Sequence, residues 1–177
     1  MERFVRSSLM LLAGAFLLLG FVQYCTFRLE AYKNLKIANS DVTLADRERQ
    51  LECLAKNIYY EAGGEPFEGK VAVAQVTMNR AESSKFPGDI CKVVYQKNVV
   101  YERVICQFSW YCDNATKIRP IRESVYNESY AVAKKVLLEG FMLDGLKEAM
   151  YYHADYVQPN WGKQKITKIG QHIFYKE

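Results

Sequence analysis

No Cys-x-x-Cys pair occurs in this chain of 177 residues, and its two histidines, His153 and His172, stand at no ligand spacing to the cysteines. The donor set of a zinc site is therefore missing, and no metal or other cofactor is expected. Nor is there a lysine- or arginine-rich run interleaved with aromatics, which argues against nucleic acid as a partner. The formal net charge of +4 is modest and suits an anionic polymer without demanding one. Internal repeats, low-complexity tracts and a second domain boundary are all absent. Half of the residues are hydrophobic and a quarter charged, as in a single globular domain with an appendage.

The appendage lacks charge altogether. From Ser7 to Phe27 there is no Asp, Glu, Lys or Arg, and a run of this length is about the ~20 residues with which a helix crosses a bilayer. No Ala-x-Ala pattern follows it, and Phe21-Val22-Gln23-Tyr24-Cys25 offers no small residues for signal cleavage. The sequence thus predicts a membrane span or uncleaved signal anchor over residues 1–28, a linker over 29–45 and a catalytic domain over 46–177. Basic residues flank both ends of the span, Arg3 and Arg6 before it and Arg28, Lys33 and Lys36 after it, so they scarcely choose an orientation. The expected location is the inner membrane, with the domain on the extracytoplasmic side. Cysteine usage agrees with that side: Cys53, Cys91, Cys106 and Cys112 form an even set, as in exported domains with two disulfides. Three connectivities are open; Cys53 with Cys91 and Cys106 with Cys112 is the favoured one, and four reduced cysteines remain the alternative.

The chemistry concentrates in Asn57-Ile58-Tyr59-Tyr60-Glu61-Ala62-Gly63-Gly64-Glu65-Pro66. Leu51, Leu54, Ala55 and Ile58 recur at the spacing of one helical face, and Glu61 continues that face three residues beyond Ile58. A carboxyl group that points where the core points loses solvation, and it sits at the negative end of the helix dipole; both effects raise its proton affinity. That is the preparation of a general acid. The alternative is a structural ion pair, with Arg80 as the natural partner. Glu65, between Gly64 and Pro66, ranks second, because a turn usually leaves its charge to solvent or a cap.

Asp41, Thr43 and Asp46 offer starts for the Leu51 helix, and Gly63-Gly64 ends it. A second helix after Pro66 is apolar on most of its circumference, with Glu68, Gln75, Asn79 and Glu82 tracing one polar stripe that lines a cleft or faces solvent. A short helix over Ile90–Tyr95 is capped by Asp89. Residues 98–115 read as irregular or strand-like, with the aromatic loop Cys106-Gln107-Phe108-Ser109-Trp110-Tyr111-Cys112. Aromatic rings beside amides and hydroxyls suit sugars and cores alike. A helix is predicted from Pro120 to Glu139 with proline in its first turn. Ala149–His153 and Ile169–Tyr175 read as short strands around the turn Gln158-Pro159-Asn160. Helices first and a small antiparallel sheet last make the class α+β.

Five stretches in this order carry a resemblance: Asn57–Pro66 with Gly69–Val76 and Asn79-Arg80; Phe86-Pro87; Cys106–Trp110; His153–Val157; and Ile169–Tyr175. The pattern resembles the spore-cortex-lytic type of cell-wall hydrolase, and the resemblance extends over essentially all of the chain after about Leu51. The resemblance implies a lysozyme-like fold, mainly helical, acting on peptidoglycan glycan strands, with a single catalytic glutamate that falls on Glu61. It further implies a lytic transglycosylase, cutting between N-acetylmuramic acid and N-acetylglucosamine and leaving a 1,6-anhydro end. Glu61 would protonate the glycosidic oxygen and then, as carboxylate, help the muramoyl C6 hydroxyl attack the anomeric carbon. Glu65, Gln107, Ser109, Tyr152 and His153 are the expected substrate contacts. Where the family commonly has arginine after the alanine, this chain has Gly63. A hydrolysing muramidase, with Asp113 or Glu65 holding a water, is the enzymatic alternative. An amidase would want zinc. A tethered protein that binds wall without cutting it is the alternative from another class.

Overall fold

Helix α1 (Leu44–Ala62) starts where the chain offers a hydroxyl: Thr43 Oγ1 accepts the backbone N–H of Asp46 at 3.1 Å, as a capping threonine does. The protein is seen here as a computed structural model that describes residues 18–28 and 43–177, of which Arg47–Glu177 form one unit. Leu51, Leu54, Ala55 and Ile58 of α1 are fully buried, on the face the sequence assigns to the core. A Cβ at Gly63, just past α1, would lie 2.5 Å from the Tyr59 carbonyl oxygen and 3.1 Å from Val125 Cγ1. Glycine is what fits at that close approach.

Pro66 fixes φ at −62° immediately before helix α2 (Phe67–Glu82), a residue pre-set for helix entry. Val71 and Ala74 of α2 pack into the larger core cluster with Leu54, Ile58, Trp110, Val132 and Val136. Ala72 and Val76 pack into a second cluster with Leu146, Ala149 and Phe174. Burial on two sides explains why α2 is apolar nearly all round. Helix α3 (Ile90–Val94) is capped by Asp89, whose side chain accepts from the Lys92 N–H at 2.9 Å, and the Cys53–Cys91 disulfide ties α3 to α1.

Strands β1 (Lys97–Val100) and β2 (Arg103–Cys106) form an antiparallel hairpin. Its two turn residues, Tyr101 and Glu102, have φ of 48° and 62°, the left-handed pair that matches the twist of a two-residue hairpin. A 3₁₀ turn (Ser109–Tyr111) follows, held by the Cys106–Cys112 disulfide, then the short helix α4 (Asn114–Lys117). Helix α5 (Glu123–Glu139) ends at Gly140, φ 71°, a left-handed cap. Arg122 is the residue before its first turn, so Pro120 precedes the helix rather than opening it. The chain closes with β3 (Tyr151–Ala154), β4 (Gln164–Ile169) and β5 (His172–Lys176), all antiparallel in the order β3-β5-β4.

The polar stripe of α2 neither lines a cleft nor faces solvent at its centre. The Gln75 amide exchanges two hydrogen bonds with the backbone of Leu143, at 3.1 and 2.8 Å. Asn79 Nδ2 donates to the carbonyls of Leu146 and Ala149 at 2.9 and 2.8 Å, and Arg80 Nε donates to that of Met150 at 2.8 Å. Buried carbonyls need such donors. The stripe thereby fixes the backbone over 143–150 that delivers β3 to the site.

Two expectations about architecture change. The α+β class holds, yet the small sheet near the C-terminus is joined by the β1–β2 hairpin in mid-chain, where the sequence reads as irregular or strand-like. The predicted transmembrane helix is overturned: residues 18–28 are helical, but among the described residues no helix is long and apolar enough to cross a membrane. Apolar composition alone suggested the span, and the helical residues described within it, 18–28, do not by themselves meet what a bilayer requires. The membrane as a partner through that helix is withdrawn with it. The rest of the predicted span, and most of the linker over 29–45, lie outside the described residues.

Candidate active site

The last turn of α1 and the first residues of β3 meet at one carboxyl group. Tyr152 Oη donates to Glu61 Oε2 at 3.0 Å. Glu61 is partly exposed as a residue, while its carboxyl group is largely enclosed by protein. Burial pushes its pKa above the ordinary carboxylate value; the Tyr152 hydrogen bond and the positive charge of Arg80 pull the other way and only moderate the rise. Burial and the neighbouring Glu61 hold the Tyr152 hydroxyl well above the usual phenol range, so it serves as a donor and not as a base.

Arg80 is buried on α2, its guanidinium 5.4 Å from the Phe86 ring centre and 5.2 Å from that of Phe108. It does not form the ion pair considered as the alternative role for Glu61: Nε is committed to the Met150 carbonyl, Nη1 is buried without a partner, and the charge reaches Glu61 through space. His172 on β5 closes the other side. Its ring meets the Tyr152 ring edge-on, with centroids 5.2 Å apart and planes at 88°. Burial lowers its pKa against the opposing pull of Glu65 and Asp155, which keeps the ring neutral near pH 7, and its Nδ1 is buried without a partner.

Strand alternation decides the fate of the other predicted residues. Tyr152, Phe174 and His172 point to the helix side of the sheet, Tyr152 directly opposite Phe174. His153, one residue on, points to the far side: its Nε2 meets Tyr175 Oη at 2.8 Å and its ring stacks on Tyr175. Glu65 is taken up structurally, Oε2 accepting the Gln171 N–H at 2.9 Å in the β4–β5 turn. Gly170 sits there at φ 56°, and any Cβ on it would collide with the Glu65 carboxylate. Lys70, itself buried, donates from Nζ to the Glu65 carbonyl at 2.8 Å and to Glu128 Oε1 at 3.0 Å, pinning the turn between α1 and α2 to α5. Gln107 is half-buried and Ser109 exposed, and neither is hydrogen-bonded to Glu61. Asp113 caps α4, accepting from the Ala115 N–H at 3.0 Å and from the Thr116 hydroxyl at 2.5 Å.

Two residues of this site escape a reading of the sequence. There His172 figures only as a rejected metal ligand and within a family-like stretch, and Arg80 only as a possible ion-pair partner and within another such stretch. The signal for His172 is the alternation in His172-Ile173-Phe174-Tyr175, which puts it on the same face as the core residue Phe174. Cavities of about 450 Å³ beside Tyr151 and about 610 Å³ beside Ile169 lie elsewhere, and Glu61 lines neither. Among the described residues no three His, Cys, Asp or Glu side chains converge as metal ligands.

The site thus gathers a carboxyl group raised in pKa by burial, a phenol hydroxyl that donates to it and a buried arginine charge nearby. Residues 64–175, well over half of the 177, match the Cell Wall Hydrolase family, and the chain belongs to it. The match starts three residues after Glu61, so membership by itself assigns that residue no role. The chain is similar to the spore cortex-lytic enzyme of Bacillus subtilis, 32% identical over 127 residues that make up 70% of this chain and 36% of that protein. The enzyme of the same name from Bacillus cereus is 30% identical over 133 residues, 73% of this chain and 45% of that one. This chain therefore spans less than half the length of either relative. Among solved structures it is similar to the catalytic domain of the Bacillus cereus SleB protein, with a TM-score of 0.54 at 25% identity, covering 73% of this chain and 91% of that one. It is also similar to the catalytic domain of the germination-specific lytic transglycosylase SleB from Bacillus anthracis, with a TM-score of 0.52 at 28% identity, covering 72% and 93%.

Proposed function

We propose that this protein cleaves peptidoglycan glycan strands between N-acetylmuramic acid and N-acetylglucosamine as a lytic transglycosylase, with Glu61 as its acid and base. Glu61 gives its proton to the glycosidic oxygen as the C1–O bond breaks, and the leaving sugar departs as an alcohol. The carboxylate then takes the proton of the muramoyl C6 hydroxyl as that oxygen bonds to C1, which closes the anhydro ring and restores the acid. The observation that carries the reading is the buried carboxyl group of Glu61, raised in pKa and bonded to Tyr152, because an acid with these surroundings stays protonated where a surface carboxylate has ionised. Similarity to the lytic transglycosylase SleB of Bacillus anthracis supports the same reaction.

An inverting muramidase needs a second carboxylate roughly 6.5–9.5 Å from the acid and free to hold a water. Both carboxylates considered for that role are engaged, Glu65 by the Gln171 N–H and Asp113 by the N-terminus of α4, which favours the one-acid scheme. The two disulfides favour a domain that works outside the cytoplasm, where such bonds persist.

The test is digestion of purified sacculi by wild type and Glu61→Gln, with mass spectrometry of the released glycans. Wild type should release anhydro-ended products and E61Q none, while E61Q keeps its fold. Turnover by E61Q at the wild-type rate refutes the assignment of Glu61, and reducing ends in place of anhydro ends refute the transglycosylase.

A further inference from the structure

The sheet has a second face that the acid does not use. Tyr151, Tyr175 and Lys165 form one row across it, since Tyr151 pairs with Tyr175 and Tyr175 with Lys165. His153, Ile173 and Lys168 form the next row. Trp161, from the loop between β3 and β4, lies over both, its ring centre 5.7 Å from that of Tyr175, 5.6 Å from that of His153 and 6.2 Å from that of Tyr151. The Trp161 and Tyr175 planes are within 33° of parallel, and Trp161 retains 36% of its surface. These rings pack on one another and not into either core cluster.

Three of the four lysines of this part of the chain are already paired: Lys163 with Glu177 at 3.8 Å, Lys168 with Asp155 at 2.7 Å, and Lys176, which alternates to the other face, with Glu148 at 2.7 Å. Lys163 lies 3.6 Å from the centre of the Tyr151 ring, and Lys165, beside Tyr175, has no carboxylate within ion-pair distance among the described residues. A partner for this face must offer flat apolar surfaces for the rings and negative charge for Lys165. Pyranose rings stack their C–H faces on aromatics, and peptidoglycan alternates such sugars with stems that end in carboxylates. Resting on the glycan reading above, we infer that the outer face of β3-β5-β4 is a second binding site for peptidoglycan, which takes sugar rings on Trp161 and Tyr175 and a stem carboxylate on Lys165. The site holds a strand to the enzyme from the side opposite Glu61, so that the domain stays on the polymer between cuts.

The chain has two tryptophans, Trp110 buried and Trp161 exposed, so fluorescence isolates the site. The full chain carrying Glu61→Gln, which leaves the polymer intact, is titrated with tetra-N-acetylchitotetraose and, separately, sedimented with purified sacculi. The sugar should shift the emission in E61Q and leave it unmoved in E61Q with Trp161→Phe. Sacculus affinity should fall about tenfold with Trp161→Ala and be largely restored by Trp161→Phe, since one stacked ring contributes on the order of 1 kcal/mol. Lys165→Glu should remove the preference for intact sacculi over sacculi stripped of their stems. Unchanged emission at saturating sugar, or W161A binding as tightly as its parent, overturns the second site. Product release is read in wild type alone, so a wild type that binds but releases nothing defeats the proposed reaction and not this site.

Discussion

Burial raises the proton affinity of Glu61, and the same burial makes its ionisation costly for the fold. The folded pKa is raised above that of the unfolded chain. Its stabilising contribution is therefore complete below the unfolded value and is lost as pH rises through the folded one. Glu61→Gln has no such loss. Its thermal midpoint should equal that of wild type in acid and exceed it above the raised pKa, the gap widening by about 1.4 kcal/mol for each pH unit between the unfolded and folded values; a midpoint of E61Q below wild type at pH 8 contradicts a desolvated acid. Tyr152→Phe separates the donor from the burial. The Tyr152 hydrogen bond favours the ionised carboxyl, so Y152F should move the basic limb of the kcat/KM profile to higher pH. It should also lower kcat about tenfold or more, since a hydrogen bond to a charged group is worth roughly 1.5–3 kcal/mol. An unmoved basic limb in Y152F counts against Glu61 as the titrating group.

At the scale of elements, the partner of Glu61 arrives from far along the chain, and α2 is what places it. Asn79 satisfies two buried carbonyls in the segment before β3. Asn79→Ala strands both, at about 1–3 kcal/mol each, so urea unfolding should show a loss on the order of 2–6 kcal/mol and the surviving folded enzyme should be slower in kcat. Stability equal to wild type would mean that solvent reaches these carbonyls. The role of this stripe was illegible in the sequence because its partners are backbone atoms some 70 residues away, and backbone acceptors leave no mark on residue type. Periodicity did reveal the buried face of α1 and the direction of Glu61, both of which are local. The strands were legible as strands, yet Tyr152 and His153 were assigned to one site, although a period of two sends neighbours to opposite faces. Which of them meets Glu61 depends on the side of the sheet that packs on α2, a tertiary fact. His172 was missed for the same reason.

Over the whole molecule, the two disulfides do unequal work, and the inequality follows from the loops they close. Cys53–Cys91 spans 38 residues and Cys106–Cys112 only 6. On the chain-entropy account these closures are worth about 4 and about 2 kcal/mol through the unfolded state. The longer one also joins the middle of α1 to α3 within the larger core, beside Leu51 and Leu54, so its removal loosens the helix that presents Glu61. The shorter one holds the turn of Trp110, whose Nε1 donates to Asn57 Oδ1 at 3.0 Å and whose ring stacks on Tyr60 at 4.4 Å. These contacts keep Trp110 in place without the covalent bond. Replacing Cys53 and Cys91 by serine should therefore lower the unfolding free energy by about 3–4 kcal/mol and reduce activity with it. Replacing Cys106 and Cys112 should cost about 2 kcal/mol and leave the buried tryptophan emission nearly unchanged. Urea titrations of the two double variants, followed by tryptophan fluorescence, make the comparison. Equal losses would show that native packing, and not loop length, sets what each bond contributes; a larger loss from the short loop would show that the Trp110 turn depends on its disulfide.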